Sequence, residues 1–211
     1  MKVFTDIIQG SQEWLLLRKA KPSASNFDRI VTAKTGELSK QADDYMLELV
    51  AQAFCPDWEQ FEGNFWTRRG NELEPEARDK FIEYTGLNAE QVGFCLHDNG
   101  IAGCSPDALI KGDNGHWQMG VEIKCPSPWE HVRYVRDGAL PDKYRQQVHG
   151  SLAITGLDCW FFWSFFPGMA PLLVEVKPDD YTKKVADALA IFCDRYKVVY
   201  EELVEKLKPR E

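Results

Sequence analysis

A chain of 211 residues that is 44% hydrophobic, with 7 Trp, 12 Phe and 7 Tyr, is expected to form a single domain over 1–211 around a sizeable core. The formal net charge of −8 speaks against a generally basic nucleic-acid binder, but not against carboxylates gathered around divalent cations with basic residues concentrated on one face. The start, Met1-Lys2-Val3-Phe4-Thr5-Asp6, does not resemble a signal peptide, and no apolar run approaches the roughly 18 residues of a membrane span, so a cytoplasmic protein is expected.

In chain order, Ser11 caps an expected helix to Lys19 that puts Trp14, Leu15 and Leu17 on a helical pattern. A second helix is expected from near Ser23. A third, Asp43 to Phe54, repeats Tyr45, Met46, Leu49, Val50 and Ala53 at helical spacing and ends at Cys55-Pro56. Another covers about Phe65 to Tyr84, closed by Gly86. From Val92 to Cys125 short β-type runs are broken by Asp98-Asn99-Gly100 and Lys111-Gly112-Asp113-Asn114-Gly115, which predicts a β-meander. Helices return after Pro128, over Trp129–Arg136 and Pro141–Thr155, followed by strands at Asp158–Phe166 and Leu172–Lys177 and a closing helix from Asp179 to Lys208. This order suits an α/β (α+β) architecture, a mixed central β-sheet flanked by helices.

The six cysteines form no Cys-x-x-Cys pair and the four histidines no metal or triad spacing, so zinc-ribbon, iron–sulfur and histidine-based chemistry have no support. Arg68, Arg69, Arg133, Arg136, Lys143 and Arg145 are candidates for a local basic surface, each also readable as part of a solvated helix face.

The informative stretch is Ser105-Pro106-Asp107 followed by Gly120-Val121-Glu122-Ile123-Lys124-Cys125. Alternation along a strand turns Glu122 and Lys124 one way, onto an exposed edge, and Val121, Ile123 and Cys125 toward the core. A hairpin about Asp113-Asn114-Gly115 brings Asp107 opposite Val121 or Glu122. Two carboxylates repel, and Mg²⁺ resolves the conflict by taking their oxygens, with the Ile123 carbonyl as a third ligand. Lys124 would orient or help deprotonate a water on the metal and stabilise charge on a pentavalent transition state of phosphodiester hydrolysis. The same three residues also read as a surface salt-bridge cluster on a hairpin.

With its neighbours, this pattern resembles the PD-(D/E)xK nuclease superfamily and, within it, the phage lambda-type exonucleases, also described as YqaJ-like viral recombinases. The resemblance rests on Trp14-Leu15-x-x-Arg18 with Ser23-Ala24-Ser25, Arg69-Gly70-x-x-x-Glu74-x-x-Ala77-Arg78, Ser105-Pro106-Asp107 with Glu122-Ile123-Lys124-Cys125-Pro126, and Tyr144-x-x-Gln147. It implies a restriction-endonuclease-like core with Asp107, Glu122 and the Ile123 carbonyl as metal ligands and Lys124 as the catalytic lysine. Glu74 would be an acidic residue supporting a metal or its water, so that Lys124, Asp107, Glu122 and Glu74 form the catalytic set. A 5′-phosphate pocket would fall on Arg18, Ser25, Ser105 and Gln147. The implied activity is Mg²⁺-dependent (Mn²⁺ as a substitute, one or two ions) processive 5′→3′ digestion of one strand of duplex DNA. The implied partners are DNA ends, a ring-shaped homotrimer and a single-strand annealing recombination protein, in a phage- or prophage-bearing bacterial cytoplasm.

Two departures stand out: Ala20 and Pro22 replace a common glycine and an apolar residue ahead of Ser25, and Pro75 follows Glu74, which predicts a first-turn position or a kink. A sequence-specific endonuclease of the same superfamily and a catalytically silent DNA-binding or recombination scaffold remain the alternatives. The intact Asp107, Glu122 and Lys124 disfavour the second.

Overall fold

The computed structural model of the chain describes residues 1–55 and 65–208. Its elements run β1 (Lys2–Phe4), α1 (Gln12–Arg18), a 3₁₀ turn (Ala24–Asn26), α2 (Ala42–Phe54), α3 (Phe65–Thr85), β2 (Ala89–Glu90), β3 (Phe94–Leu96), β4 (Gly103–Cys104), β5 (Ala108–Lys111) and β6 (Trp117–Lys124). Then come α4 (Pro128–Asp137), a 3₁₀ turn (Asp142–Tyr144), α5 (Arg145–Thr155), β7 (Cys159–Ser164), β8 (Leu172–Val176) and α6 (Asp180–Leu207).

The strands divide between two sheets, so the expected single meander is corrected. An antiparallel sheet in the order β1-β3-β4 recruits an N-terminal strand too short to betray itself by alternation. The other sheet, in the order β2-β5-β6-β7-β8, is antiparallel except where β6 and β7 run parallel, joined by the crossover through α4 and α5.

Both faces of the larger sheet are covered. On one, Val121, Ile123, Phe161 and Trp163 pack with Ala77 and Phe81 of α3, and the Trp163 indole donates to the Ala77 carbonyl at 2.9 Å. On the other, Leu109, Trp160 and Val176 join the core that includes α2, α5 and α6. Gly120 is required here, because a Cβ at that position would lie 2.4 Å from the Trp160 ring. The aromatic run of β7 is thus buried on both sides, as its lack of polar alternation implies.

Local chemistry explains most element ends. The Ser11 hydroxyl accepts from the Trp14 N–H, and Asp179 with Thr182 forms a full capping box for α6. Gly86 ends α3 with φ +71° and Gly138 ends α4 with φ +60°. No helix starts at Ser23: only a 3₁₀ turn forms, and the Ser23 side chain caps nothing. The end of α2 lies at Phe54 with Cys55 as its cap, whereas the Pro56 stop lies outside the described residues. Pro75 sits inside α3 rather than in its first turn, where it removes one intrahelical donor immediately after Glu74. Five of the six cysteines are buried thiols and Cys55 is exposed. Among the described residues no helix is long and apolar enough to cross a membrane.

Candidate active site

The β5–β6 hairpin sets the centre of the site. Ala108 pairs with Val121, and the Asp107 N–H donates to the Val121 carbonyl at 3.1 Å, so Asp107 stands beside Glu122 at the end of the ladder. Asp107 Oδ2 then accepts from the Ile123 N–H at 2.5 Å. Strand parity puts Glu122 and Lys124 on the face toward α5 and leaves Val121, Ile123 and Cys125 with the α3-side core, as alternation predicts. The expected exposed edge is wrong, however. Glu122 is only 2% exposed, with Gln147 of α5 on its carboxylate, and the surface salt-bridge reading falls with it.

Burial governs the electrostatics. Desolvation pushes the Glu122 carboxyl up from 4.5 to about 7, with Asp107 and Glu74 adding in the same direction against the pull of Lys124. Asp107 is raised by burial as well, against Lys124, the Ile123 N–H and Arg78. Glu74 is raised by burial and by Asp107, while Arg78, paired to it at 2.8 Å, pulls it down. Burial acts on Lys124 in the opposite sense, but Glu122, Asp107 and Tyr144 outweigh it and hold the ammonium protonated. Its Nζ is ion-paired with Glu122 Oε1 and lies 5.4 Å from the Tyr144 ring centroid.

A second group of polar side chains faces the same cavity, which measures about 840 Å³. Arg18 donates to Ser23 Oγ (2.9 Å), Ser25 Oγ (3.2 Å) and Ser105 Oγ (3.4 Å), while its guanidinium stacks on the Trp14 ring at 4.1 Å. Burial lowers its proton affinity, Tyr45 and Cys104 act weakly the other way, and among the described residues no carboxylate is ion-paired with it. A guanidinium stays charged in proteins, so a half-buried one ringed by hydroxyls is poised for an anion.

The backbone that assembles this cradle is unusual. Ala20 adopts φ +56°, the left-handed conformation a glycine takes freely, and its amide and carbonyl are tied to Gln52 (3.2 Å) and the Tyr196 hydroxyl (2.8 Å). The Pro22 carbonyl accepts from the Gly103 N–H at 3.0 Å, and this bridge lays residues 22–25 beside β4 and hence beside Ser105.

The residues that the sequence assigned to the metal site and the phosphate pocket, Arg18, Ser25, Glu74, Ser105, Asp107, Glu122, Ile123, Lys124 and Gln147, line this one cavity. Gln147 differs in its partner: its amide donates to Glu122 Oε1 at 2.6 Å, beside the carboxylates rather than in the serine cradle. Arg145, grouped with the basic candidates, donates instead to the Ala33 carbonyl and lies 4.0 Å from the Tyr181 ring. Sequence reasoning gave no part to Gln9, Ser23 or Arg78. A sequence signal existed only for the last two, which fall inside the quoted motifs.

The donor set fits a hard divalent cation. Among the described residues no cluster of three or more His, Cys, Asp or Glu side chains is placed to hold a metal, so an ion would rest on two carboxylates, Asp107 and Glu122, with the Ile123 carbonyl and water. Oxygen-only ligation of that kind suits Mg²⁺, which keeps several waters and takes one or two carboxylates. Burial raises both carboxyls, and a bound cation would favour their charged forms against that loss of solvation.

Comparison with known proteins agrees with the geometry. The family model of the YqaJ-like viral recombinase domain matches residues 13–158. The structure is similar to that of an alkaline exonuclease (LHK-Exo) from Laribacter hongkongensis, at 28% identity and a TM-score of 0.78, covering 93% of this chain and 97% of that one. It is also similar to LHK-Exo in complex with dAMP, at 26% identity and a TM-score of 0.72 over 92% and 99% of the two chains. A phage related exonuclease from Haemophilus somnus 129PT shares the fold at a TM-score of 0.59 and 16% identity, over 89% and 96%. No curated protein matches. The expected PD-(D/E)xK-like arrangement, a mixed sheet flanked by helices, is the fold held in common.

Proposed function

The chain belongs to the YqaJ-like viral recombinase family, and on that premise we propose that it is a Mg²⁺-dependent exonuclease that digests one strand of linear double-stranded DNA from its 5′ end and leaves a 3′ single-stranded overhang. The observation that carries this reading is the union, in one cavity, of a carboxylate–ammonium group (Asp107, Glu122, Lys124) and an arginine cradle (Arg18, Ser25, Ser105) in which, among the described residues, no carboxylate is ion-paired with Arg18. The existence of an alkaline exonuclease among the similar structures, and its complex with dAMP, supports a site made for a nucleoside monophosphate.

In this reading Arg18, Ser25 and Ser105, with Ser23, hold the terminal 5′-phosphate through charge-assisted and hydroxyl hydrogen bonds. Asp107, Glu122 and the Ile123 carbonyl hold one or two Mg²⁺ ions, for which Mn²⁺ would substitute, and Glu74 supports them through water. An ion bound there would supply Lewis-acid activation of water and of the phosphodiester. Lys124 acts as a fixed cation facing the negative charge that develops on the phosphate oxygens, since its raised proton affinity favours that role over accepting a proton. Gln147 keeps Glu122 oriented through its amide and borders the phosphate cradle. Cleavage on the O3′ side leaves each phosphate on the following nucleotide, so every turnover regenerates the group that the Arg18 cradle binds. A ring-shaped homotrimer, a single-strand annealing protein as partner in recombination, and action in a phage- or prophage-bearing bacterial cytoplasm complete the reading.

The test is digestion of a linear duplex labelled separately at each 5′ and 3′ end, carrying 5′-phosphate or 5′-hydroxyl, with a closed circle as control. Mg²⁺-dependent loss of label from the phosphorylated 5′ end with the circle intact is expected. Cutting of the circle would make the protein an endonuclease, and no cutting of any DNA would leave a binding or scaffold role.

A further inference from the structure

The segment between β1 and α1 reaches far along the chain to the loop that carries Asp107. The Gln9 side-chain amide donates both its hydrogens, one to the Val92 carbonyl at 2.8 Å and one to the Pro106 carbonyl at 2.7 Å, across separations of 83 and 97 residues. The Pro106 carbonyl belongs to the peptide bond whose nitrogen is that of Asp107, so this bond fixes the peptide plane from which the carboxylate projects. The other polar group of that peptide, the Asp107 N–H, donates to the Val121 carbonyl at 3.1 Å, so the Gln9 bond fixes the plane from its second side. Five residues on, the Trp14 indole N–H is shared between the Gly93 carbonyl (3.0 Å) and Ser105 Oγ (3.0 Å). Chain 4–7 is pressed against the same place: the Gly93 N–H donates to Phe4 at 2.9 Å, and a Cβ on Gly93 would sit 2.2 Å from the Ile7 carbonyl oxygen.

We propose that Gln9 is a positioning residue that sets Asp107 through the Pro106 peptide, while Trp14 is the corresponding positioning residue for Ser105 and Arg18. One arm of the chain thereby aligns the carboxylate half and the phosphate half of the cavity separately, through different atoms. The activity readouts rest on the nuclease reading given above. The backbone readout does not, because the Ile123 N–H donates to Asp107 Oδ2 and reports where that carboxylate stands.

The experiment compares Gln9→Met, which keeps the length and removes both donors, with Trp14→Phe, which removes the indole N–H and keeps an aromatic ring beneath Arg18. In Gln9→Met the Mg²⁺ concentration for half-maximal cleavage, and the affinity for Mn²⁺ measured by calorimetry, should weaken roughly 10-fold, the lower end of what loss of an outer-shell partner does. The preference for 5′-phosphate over 5′-hydroxyl ends should stay as in the parent, and hydrogen exchange at the Ile123 amide without any metal should quicken. In Trp14→Phe the metal requirement should hold while the 5′-phosphate preference falls about 5-fold, the scale of one hydrogen bond. If Gln9→Met does not fold, Gln9→Asn, one methylene short of both carbonyls, is read the same way. A folded Gln9 variant with the parent's metal affinity and Ile123 exchange overturns the proposal. So do Gln9 and Trp14 variants that shift both readouts alike, the mark of a merely structural role. Were the parent to cleave nothing, the proposed function would fail, and Ile123 exchange would still decide the role of Gln9.

Discussion

Removing divalent ions should make this protein less stable as the pH rises through the neutral range, and the size of the effect follows from Glu122. A carboxyl raised in the folded state binds more protons there than in the unfolded chain, so its contribution is favourable in acid and is lost as pH climbs from the unfolded to the folded value. For Glu122, raised from 4.5 to about 7 and only 2% exposed, that loss is about 3 kcal/mol. Asp107 and Glu74 are shifted upward and add in the same sense. The raised Lys124 contributes stability that is fully present below 10.5 and does not tilt this window. Carboxylates shifted downward, such as Glu48 and Asp179, act at more acid pH, while His149, lowered by burial, works in the opposite sense within the window and offsets part of the fall. Thermal melts in EDTA should therefore fall by roughly 6–12 °C between pH 5 and pH 8. Mg²⁺ in hundredfold excess over its dissociation constant should return about 2.7 kcal/mol at pH 8 and little at pH 5, where protons compete for the same oxygens. Glu122→Gln should flatten the profile and abolish the Mg²⁺ response. A melting temperature in EDTA that is flat from pH 5 to pH 8, or a Mg²⁺ gain as large at pH 5 as at pH 8, would refute the account of carboxyls whose proton affinity is raised by burial despite Lys124.

Three further outcomes are expected. Lys124→Ala should abolish hydrolysis in end-label assays while DNA binding in gel shifts persists, because it removes charge stabilisation at the reacting phosphate; turnover at the parent's rate would remove Lys124 from the mechanism. Arg18→Ala should erase the preference for phosphorylated 5′ ends and shorten the tracts digested per encounter, and identical digestion of 5′-hydroxyl and 5′-phosphate substrates by parent and variant would misplace the pocket. Ala20→Gly should stabilise the fold by about 0.5–1 kcal/mol in urea titration, since the relief of a left-handed alanine exceeds the entropy of the added glycine.

The parts of the site that follow from local rules were legible in the sequence. The turn around Asn114-Gly115 and strand parity between them place Asp107 beside Glu122 and turn Val121 and Ile123 inward, and neither inference needs the rest of the molecule. Two helix ends were equally readable, because Ser11 and Gly86 act on groups a few residues away. What escaped depends on distant packing. The buried Glu122 carries Gln147 of α5 on its carboxylate, a contact that no residue near position 122 announces. Ser23 looks like a helix cap until Arg18 claims its hydroxyl, and Gln9 looks like a solvated polar residue until two carbonyls from remote loops arrive on its amide. The N-terminal strand of the smaller sheet escaped because the three residues of β1 are too few to show a period.

The parity of β6 also ties correct folding to chemistry. Were β6 to pair one residue out of step, Glu122 and Lys124 would enter the apolar layer against α3, and Val121 and Ile123 would face the cavity in their place. A slip of two would keep the faces but carry Glu122 away from Asp107, leaving each carboxylate without its neighbour. Mispaired chains would therefore be unstable and inert together, so specific activity per folded molecule would serve as a measure of native strand alignment, and selection for cleavage would guard the sheet as strictly as selection for stability.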